Sequence, residues 1–325
     1  MTMKLAFFGT PPLAADFLER MLSEKNVPIE IVLVVTQPDK PVGRSRTPTP
    51  SPVKLIATKY NVPYNFQLST LNSQSLDVDI AIIYYYGEII PTAFLRAPKY
   101  GFWNIHFSSL PKYRGTTPAT FSLVMGDAQT AVSLVFTDEK LDHGPLIAKK
   151  IVDIHPDETR LELEERLHNA AYDLVIGKIK EVAQGESLEN WKSQLKPQDH
   201  SKSTYTRFPT KDDGFITFEV LKNALNSRNE QFVPKIVQDY INKNSLDSTH
   251  SELMPHVSQL SIYNLYRGLY QWPGIWTRVN INGQKKRLKI AQMSMKDNRL
   301  VLEKVQLEGK SEVSFQQFNS AYHIF

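Results

Sequence analysis

The stretch "DIAIIYYYGEIIPTAFLRAPKYGFWNIHF", Asp79 to Phe107, decides the fold. It holds two runs, Asp79–Gly87 and Gly101–Phe107, rich in β-branched and aromatic residues. Neither run alternates apolar with polar residues, as a strand with one wet face would. Continuous apolar runs bounded by Gly and Pro read as strands buried on both faces, the habit of parallel sheets covered by helices. Two more such runs lie upstream, "KLAFFG" (Lys4–Gly9) and "IEIVLVVTQ" (Ile29–Gln37). Between them, "LAADFLERMLSEK" places Leu13, Phe17, Leu18 and Leu22 at helical spacing. Strands alternating with helical segments predict a parallel, doubly wound α/β sheet.

Downstream, "TAVSLVFTD" (Thr130–Asp138) and "PLIAKKIVDI" (Pro145–Ile154) are expected as two strands joined by a loop. A long amphipathic helix is expected next, with Leu161, Leu163, Leu167, Ala171, Leu174, Ile176 and Ile179 recurring at roughly helical spacing. The polar, proline-containing run Ser193–Gly214 reads as a linker. Beyond it come short alternating runs with an Asn-Gly turn, which predict a small β-barrel or antiparallel sheet. The expected organisation is a domain over 1–192, a linker over 193–214 and a C-terminal β domain over 215–325. A polar, Asn- and Ser-rich stretch near 221–257 is expected as an insertion.

Bulk composition narrows the chemistry. The 325 residues include no cysteine, which removes disulfides, thiolate zinc sites and a cysteine nucleophile. No apolar window approaches the ~18 residues of a membrane helix, and the apolar run at the N-terminus is too short for a secretory signal. A cytoplasmic protein with no membrane partner is the expectation. The charge is unevenly spread. From Ser201 to Phe325 there are 17 Lys and Arg against 11 Asp and Glu, whereas the rest of the chain carries 21 against 23. A basic C-terminal part suits an anionic partner such as nucleic acid, or is simply a solvated face. No GxGxxG follows the first strand, since "FFGTPPLAADF" has one glycine and then two prolines. That disfavours a nicotinamide or flavin enzyme.

The run Gly101–Phe107 also carries chemistry. Asn104 and His106 are two residues apart on a strand and so share a face. A polar pair on a buried strand is either hydrogen-bonded within the core or lines a cleft. "DEKLDHGP" (Asp138–Pro145), between two expected strands, can bring Asp142 to the same sheet edge. Asn, His and Asp together suit transfer of an activated carbonyl group. The His handles the proton, the Asp orients the His, and the Asn amide donates to a developing oxyanion. With an amine acceptor, no covalent acyl-enzyme is needed.

The chain resembles the folate-dependent formyltransferases, and within them those that act on methionyl-tRNA. The resemblance is carried in order by "FFGTP" (7–11), "VTQPDKPVGR" (35–44), "PSPVK" (50–54), "YYGEIIP" (85–91), "GFWNIHFSSLPKYRGTTP" (101–118), "GD" (126–127), "LDHG" (141–144) and "YRGLYQWPGIWTRV" (266–279). It implies a Rossmann-like formyltransferase domain followed by an OB-like barrel that binds tRNA. It also implies 10-formyltetrahydrofolate as formyl donor, the initiator methionyl-tRNA as acceptor, no metal, and a monomer. Residue by residue, the catalytic set would be Asn104, His106 and Asp142. Folate would be contacted by Ser108, Ser109, Leu110 and Pro111, with Ser109 where Leu is usual, and by Tyr86, Gly87 and Ile89, next to Tyr85 where Ala is usual. Arg44 and Arg46, with Lys40, would meet the tRNA from the long loop after the second strand, and Lys285, Lys286 and Arg287 would track its backbone. The competing readings are an amino-sugar-nucleotide N-formyltransferase, which has no need of the basic loop, and an RNA-binding module without catalysis, which has no need of the Asn–His–Asp trio.

Overall fold

The runs at 79–87 and 101–107 are neighbouring parallel strands in the computed structural model, which describes residues 2–42, 47–66, 76–185, 187–228, 231–246 and 258–325. The chain order begins β1 (Met3–Gly9), α1 (Pro12–Leu22), β2 (Ile29–Val35), β3 (Lys40–Val42), β4 (Thr47–Thr49), α2 (Pro52–Lys59), β5 (Tyr64–Asn65) and β6 (Ile80–Tyr84). It continues with α3 (Thr92–Leu95), β7 (Phe102–His106), α4 (Pro118–Val124), β8 (Gln129–Phe136), β9 (Leu146–Asp153), α5 (Arg160–Ala183) and α6 (Leu188–Ser193). Then come α7 (Phe218–Leu225), α8 (Lys235–Lys243), α9 (Ser258–Gly268), β10 (Ile275–Ile281), β11 (Gln284–Lys296), β12 (Arg299–Leu307), β13 (Glu312–Ser314) and α10 (Phe315–Tyr322).

Two compact units emerge. The first comprises Met1–Arg114, Ala131–Ile151 and Arg166–Ser203; the second comprises Gly115–Thr130, Val152–Glu165 and Thr204–Phe325. The principal sheet has the order β5-β2-β1-β6-β7-β8-β9. From β5 to β7 the pairs are parallel. The expectation of a parallel sheet fails at β8, which pairs antiparallel with β7, Asn104 opposite Val135 and His106 opposite Ser133. A continuous apolar run reports burial on both faces and is silent about strand direction, so the sheet is mixed. β6 shows why the run is apolar throughout: Ile80, Ala81, Ile82 and Tyr84, on both faces, are all fully buried.

Local chemistry sets the element ends. Ser51 caps α2 by accepting from the Lys54 amide, and Pro52 follows at the first helical position. Thr217 and Ser314 cap α7 and α10 in the same way, the latter in a reciprocal capping box with Gln317. The strand order reverses between β1 and β6, with β2 on one side and β7 on the other. Ligands of open α/β sheets bind at such a switch, outside the carboxyl ends of the strands. Here those ends are pinned together: Thr10 Oγ1 and Gln37 Nε2 donate to the Tyr86 carbonyl at 3.2 and 3.1 Å.

In the second unit, β10, β11, β12 and β13 form an antiparallel sheet in sequence order, the small β domain expected from the alternating runs. Its turns use residues that tolerate positive φ: Asn282 and Gly283 between β10 and β11, and Asp297 and Asn298 between β11 and β12. The stretch expected as an insertion contributes buried structure where it is described. Leu221 and Ala224 of α7 and Ile236, Val237 and Tyr240 of α8 lie in the interior, while residues 229–230 and 247–257 fall outside the described residues. The run expected as a linker is anchored as well. Gln198 is buried in the first unit, and Asp213 in the second is fully buried against the Arg207 guanidinium at 2.7 Å.

Candidate active site

β7 ends at His106, well before Pro111, and lays Asn104 and His106 on one face. Across from them, Asp142 lies in the turn between β8 and β9 in the left-handed region, at φ 49°. Asn104 Nδ2 donates to Asp142 Oδ1 at 2.9 Å. His106 Nδ1 faces Asp142 Oδ2 at 3.6 Å, beyond a direct hydrogen bond. The carboxylate expected to hold the imidazole thus takes its short hydrogen bond from the amide. The imidazole is held on its other side, where Nε2 lies 2.9 Å from the Tyr113 carbonyl. A carbonyl only accepts, so Nε2 carries the proton, and Nδ1 is the nitrogen turned to the carboxylate. His106 and Asp142 are 5% and 8% exposed, so both polar groups sit where pairing is worth most.

Tyr113, like Asp142, has a positive φ, 62°, and Tyr85 has 53°. Such backbone costs roughly 1–3 kcal/mol per residue and persists only where the surroundings hold it. Around Asp142 the hold is visible. Gln198 Nε2 donates to the carbonyls of Asp142 (2.9 Å) and Gly144 (2.7 Å). Gly144 packs so closely on β8 that a Cβ there would stand 1.8 Å from the Phe136 carbonyl oxygen. His143 bonds Asp138 at 2.6 Å and stacks on His200 at 3.9 Å between ring centres.

The turn after β7 places the Ser108–Pro111 segment beside the same strand ends. Ser108 is fully buried, and its hydroxyl donates to the Lys112 carbonyl at 2.6 Å. Leu110 is buried with Val135 and Leu146. Ser109 is partly exposed, and its hydroxyl accepts from Lys149 Nζ at 3.2 Å; the same ammonium reaches the Leu110 carbonyl at 3.2 Å. In the turn after β6, Tyr85 is 39% exposed, with its ring edge-on to Phe107. Tyr86 points the other way, into the core, where burial first and Glu88 second push its phenol well above the usual range. Gly87 has φ 80°, and a Cβ on it would meet Gln37 Nε2 at 2.9 Å. Ile89 is almost fully exposed.

Of the basic residues, Lys40 is exposed and bonds Gln37 at 2.5 Å. Lys54 is already paired with Asp39 at 2.8 Å. Arg44 and Arg46 lie outside the described residues. In β11, Lys285 stands opposite Asn280, Arg287 opposite Arg278, and Lys289 opposite Trp276, all on one face of the sheet. The Arg287 guanidinium lies 4.6 Å from the Trp276 ring centre and that of Arg278 5.8 Å. Lys286 is opposite buried Val279 and belongs to the other face. The sequence run of three cations is therefore split, and a basic, aromatic face that includes Trp276, Arg278 and Lys289 takes its place. Strand register with β10 is the signal that finds it. Gln198 and Lys149 have no local signal, because their contacts are distant in sequence, and Tyr113 has none because it meets His106 through its backbone carbonyl. Among the described residues, no group of three or more His, Asp or Glu is arranged to hold a metal ion.

An amide, an imidazole and a carboxylate gathered against one strand of an open α/β sheet suit an enzyme of the acyl-transfer class. A family described as "Formyl transferase" matches residues 3–179. The methionyl-tRNA formyltransferase of Thermotoga neapolitana is 37% identical over 236 residues, 69% of this chain and 72% of that protein. That of Protochlamydia amoebophila is 31% identical over 346 residues, 97% of this chain and 94% of its own. Among solved structures, an N-formyltransferase from Helicobacter canadensis, crystallised with folinic acid and dTDP-3-aminofucose, superposes with a TM-score of 0.56 at 14% identity, over 97% of this chain and 99% of that one; this likeness bears on the fold alone. The chain belongs to the formyl transferase family.

Proposed function

We infer that this enzyme transfers the formyl group of 10-formyltetrahydrofolate to the α-amine of methionyl-tRNA, for translation initiation in the cytoplasm. The observation that carries the acceptor is the relationship, along almost the whole chain, to an enzyme named for methionyl-tRNA. The site fits a folate-type donor. An exposed aromatic ring at Tyr85 suits a flat heterocycle, the Ser109–Leu110 corner is held by an ammonium at Lys149, and Asn104 has an amide hydrogen to give.

The donor supplies an activated formyl carbonyl. Around it, the chain's own groups divide the work. Of the two hydrogens on Asn104 Nδ2, one goes to Asp142, and the second is the donor for an oxyanion developing on the carbonyl under attack. The attacking amine must lose a proton. His106 keeps its own proton on Nε2, bound to Tyr113, and receives the new one on Nδ1, which faces the Asp142 carboxylate. As the tetrahedral adduct collapses, the bond from the formyl carbon to N10 breaks and that proton passes to N10, so that tetrahydrofolate leaves. Asp142 thereby serves both partners, fixing the amide and stabilising the imidazolium.

Ser108, Ser109, Leu110, Pro111 and the loop Tyr86, Gly87 and Ile89 are assigned to the donor, with the backbone as the contacting part at Ser108, Leu110 and Tyr86, whose side chains are buried. For tRNA, Lys40, Arg44 and Arg46 belong to the loop after β2 and Lys285 and Arg287 to one face of β11, while Lys286 is on the opposite face and is left out of this set. Lys285 and Arg287, with Arg278 and Lys289, form the face that suits phosphates, so binding weakens with salt. The enzyme works as a monomer. The test is to incubate it with 10-formyltetrahydrofolate and either charged methionyl-tRNA or amino-sugar nucleotides. Formyl-methionyl-tRNA is the expected product; formylation of the sugars alone would move the enzyme to the other acceptor class.

A further inference from the structure

His106 is oriented from two directions, by the Tyr113 carbonyl at Nε2 and by Asp142 at Nδ1. These contacts belong to two separate turns, one after β7 and one between β8 and β9. A single side chain joins them. The Gln198 amide uses both hydrogens on the second turn, donating to Asp142 O (2.9 Å) and Gly144 O (2.7 Å). Its carbonyl oxygen accepts from Arg114 Nη2 at 2.7 Å on the first turn, where Arg114 directly follows Tyr113. Gln198 is 7% exposed and Arg114 1%. Arg114 Nη2 also lies 2.8 Å from His200 Nδ1, and His200 stacks face to face on His143, the residue between the two carbonyls that Gln198 grips. The clasp is thus closed on both sides of the imidazole.

We propose that Gln198 is a positioning residue for the formyl-transfer step: it locks the Asp142 turn to the Tyr113–Arg114 turn and so fixes the His106 ring between its two partners. The proposal rests on the catalytic roles inferred for His106 and Asp142. Neither carbonyl nor guanidinium needs a glutamine in particular for solvation. The specific geometry is that of one amide bridging carbonyls two residues apart while its oxygen faces the other turn, which no residue without both donor and acceptor can copy. Asp142 and Tyr113 both sit at positive φ, so the two turns depend on such outside contacts to stay in place.

The experiment is a double-mutant cycle on the full chain with formyl donor and methionyl-tRNA, using Gln198→Met, Asp142→Asn and the pair. Gln198→Met keeps length and volume and loses all three hydrogen bonds. Displacement of a catalytic group by about 1 Å costs on the order of 100-fold, so kcat is expected to fall roughly 10- to 100-fold while the KM for each substrate stays within about 3-fold. In the Asp142→Asn background, the same change is expected to cost less than about 3-fold more, because the residue it positions is already disabled. Gln198→Glu, which keeps the acceptor for Arg114 and loses both donors, gives the same split if the methionine variant does not fold. A folded Gln198 variant with near-normal kcat, or losses that multiply in the double mutant, overturns the positioning role while an active wild type leaves the formyl-transfer function standing. A wild-type chain that makes no formyl-methionyl-tRNA overturns that function and this proposal with it.

Discussion

Asn104→Ala isolates the group that the proposed chemistry depends on most. The Asn104 amide has two hydrogens, and the structure commits one of them, at 2.9 Å, to Asp142 Oδ1. The remaining hydrogen is the oxyanion donor. Loss of a single such donor costs about 2.7–4 kcal/mol of barrier, or roughly 10²- to 10³-fold in kcat. The same substitution takes a partner from a carboxylate that is 8% exposed. Stripping a buried acceptor costs about 1–3 kcal/mol of stability. Asp142 retains further interactions, which places the expected loss near the lower end, about 1 kcal/mol. Kinetic and structural consequences therefore differ by at least an order of magnitude in effect. Formylation of charged methionyl-tRNA under saturating donor gives kcat and KM separately, filter binding gives tRNA affinity, and urea unfolding gives the stability change. The expected pattern is a collapse in kcat with KM, tRNA binding and midpoint nearly intact. A kcat within 10-fold of wild type, or a loss confined to KM, would refute the assignment of Asn104 as the donor.

Lys149→Ala removes the ammonium that ties Ser109 Oγ to the Leu110 carbonyl. Two long, partly exposed bonds are worth about 0.5–1.5 kcal/mol together, so the KM for the folate-type donor should rise roughly 2- to 10-fold with the tRNA KM unchanged in steady-state assays. Gly144→Ala sets a methyl 1.8 Å from the Phe136 carbonyl oxygen. Backbone cannot yield there without moving the Asp142 turn, so activity and thermal midpoint should fall together, by about 3 kcal/mol or more in stability. His200 has its pKa lowered, first by desolvation and then by the nearby His143 and Arg114 charges. The folded state therefore favours the neutral ring. Its contribution is present above the usual 6.5 and is lost as pH falls from there through the lowered folded value. Protonation ends the acceptance from Arg114 Nη2. An NMR titration should place the His200 midpoint below 6.5, and a midpoint at or above it would contradict the packing around the ring.

The sequence marked the main strands of the sheet but not the short β3, β4 and β5, because apolar runs such as Ile80–Tyr84 record burial on both faces whatever surrounds them. It also determined that Asn104 and His106 share a face, since a strand's period of two is fixed by the backbone. The Asn-Gly turn of the β domain was legible for the same local reason: few residues accept positive φ. Strand direction was not legible, and β8 runs against β7 although its composition looks like that of its parallel neighbours. The orientation of His106 was not legible either. It comes from Tyr113, seven residues on, and from Asp142, which bonds the amide more closely than the imidazole. Gln198 sits in a polar run that reads as a linker, 56 residues from the turn it grips. The Lys285–Arg287 run reads as one basic patch, yet the pleat sends Lys286 to one face and its neighbours to the other, where Trp276 and Arg278 from β10 join them. Properties fixed by the backbone's own period can be read along the chain. Properties that depend on which distant segment supplies the partner exist only once the chain has folded.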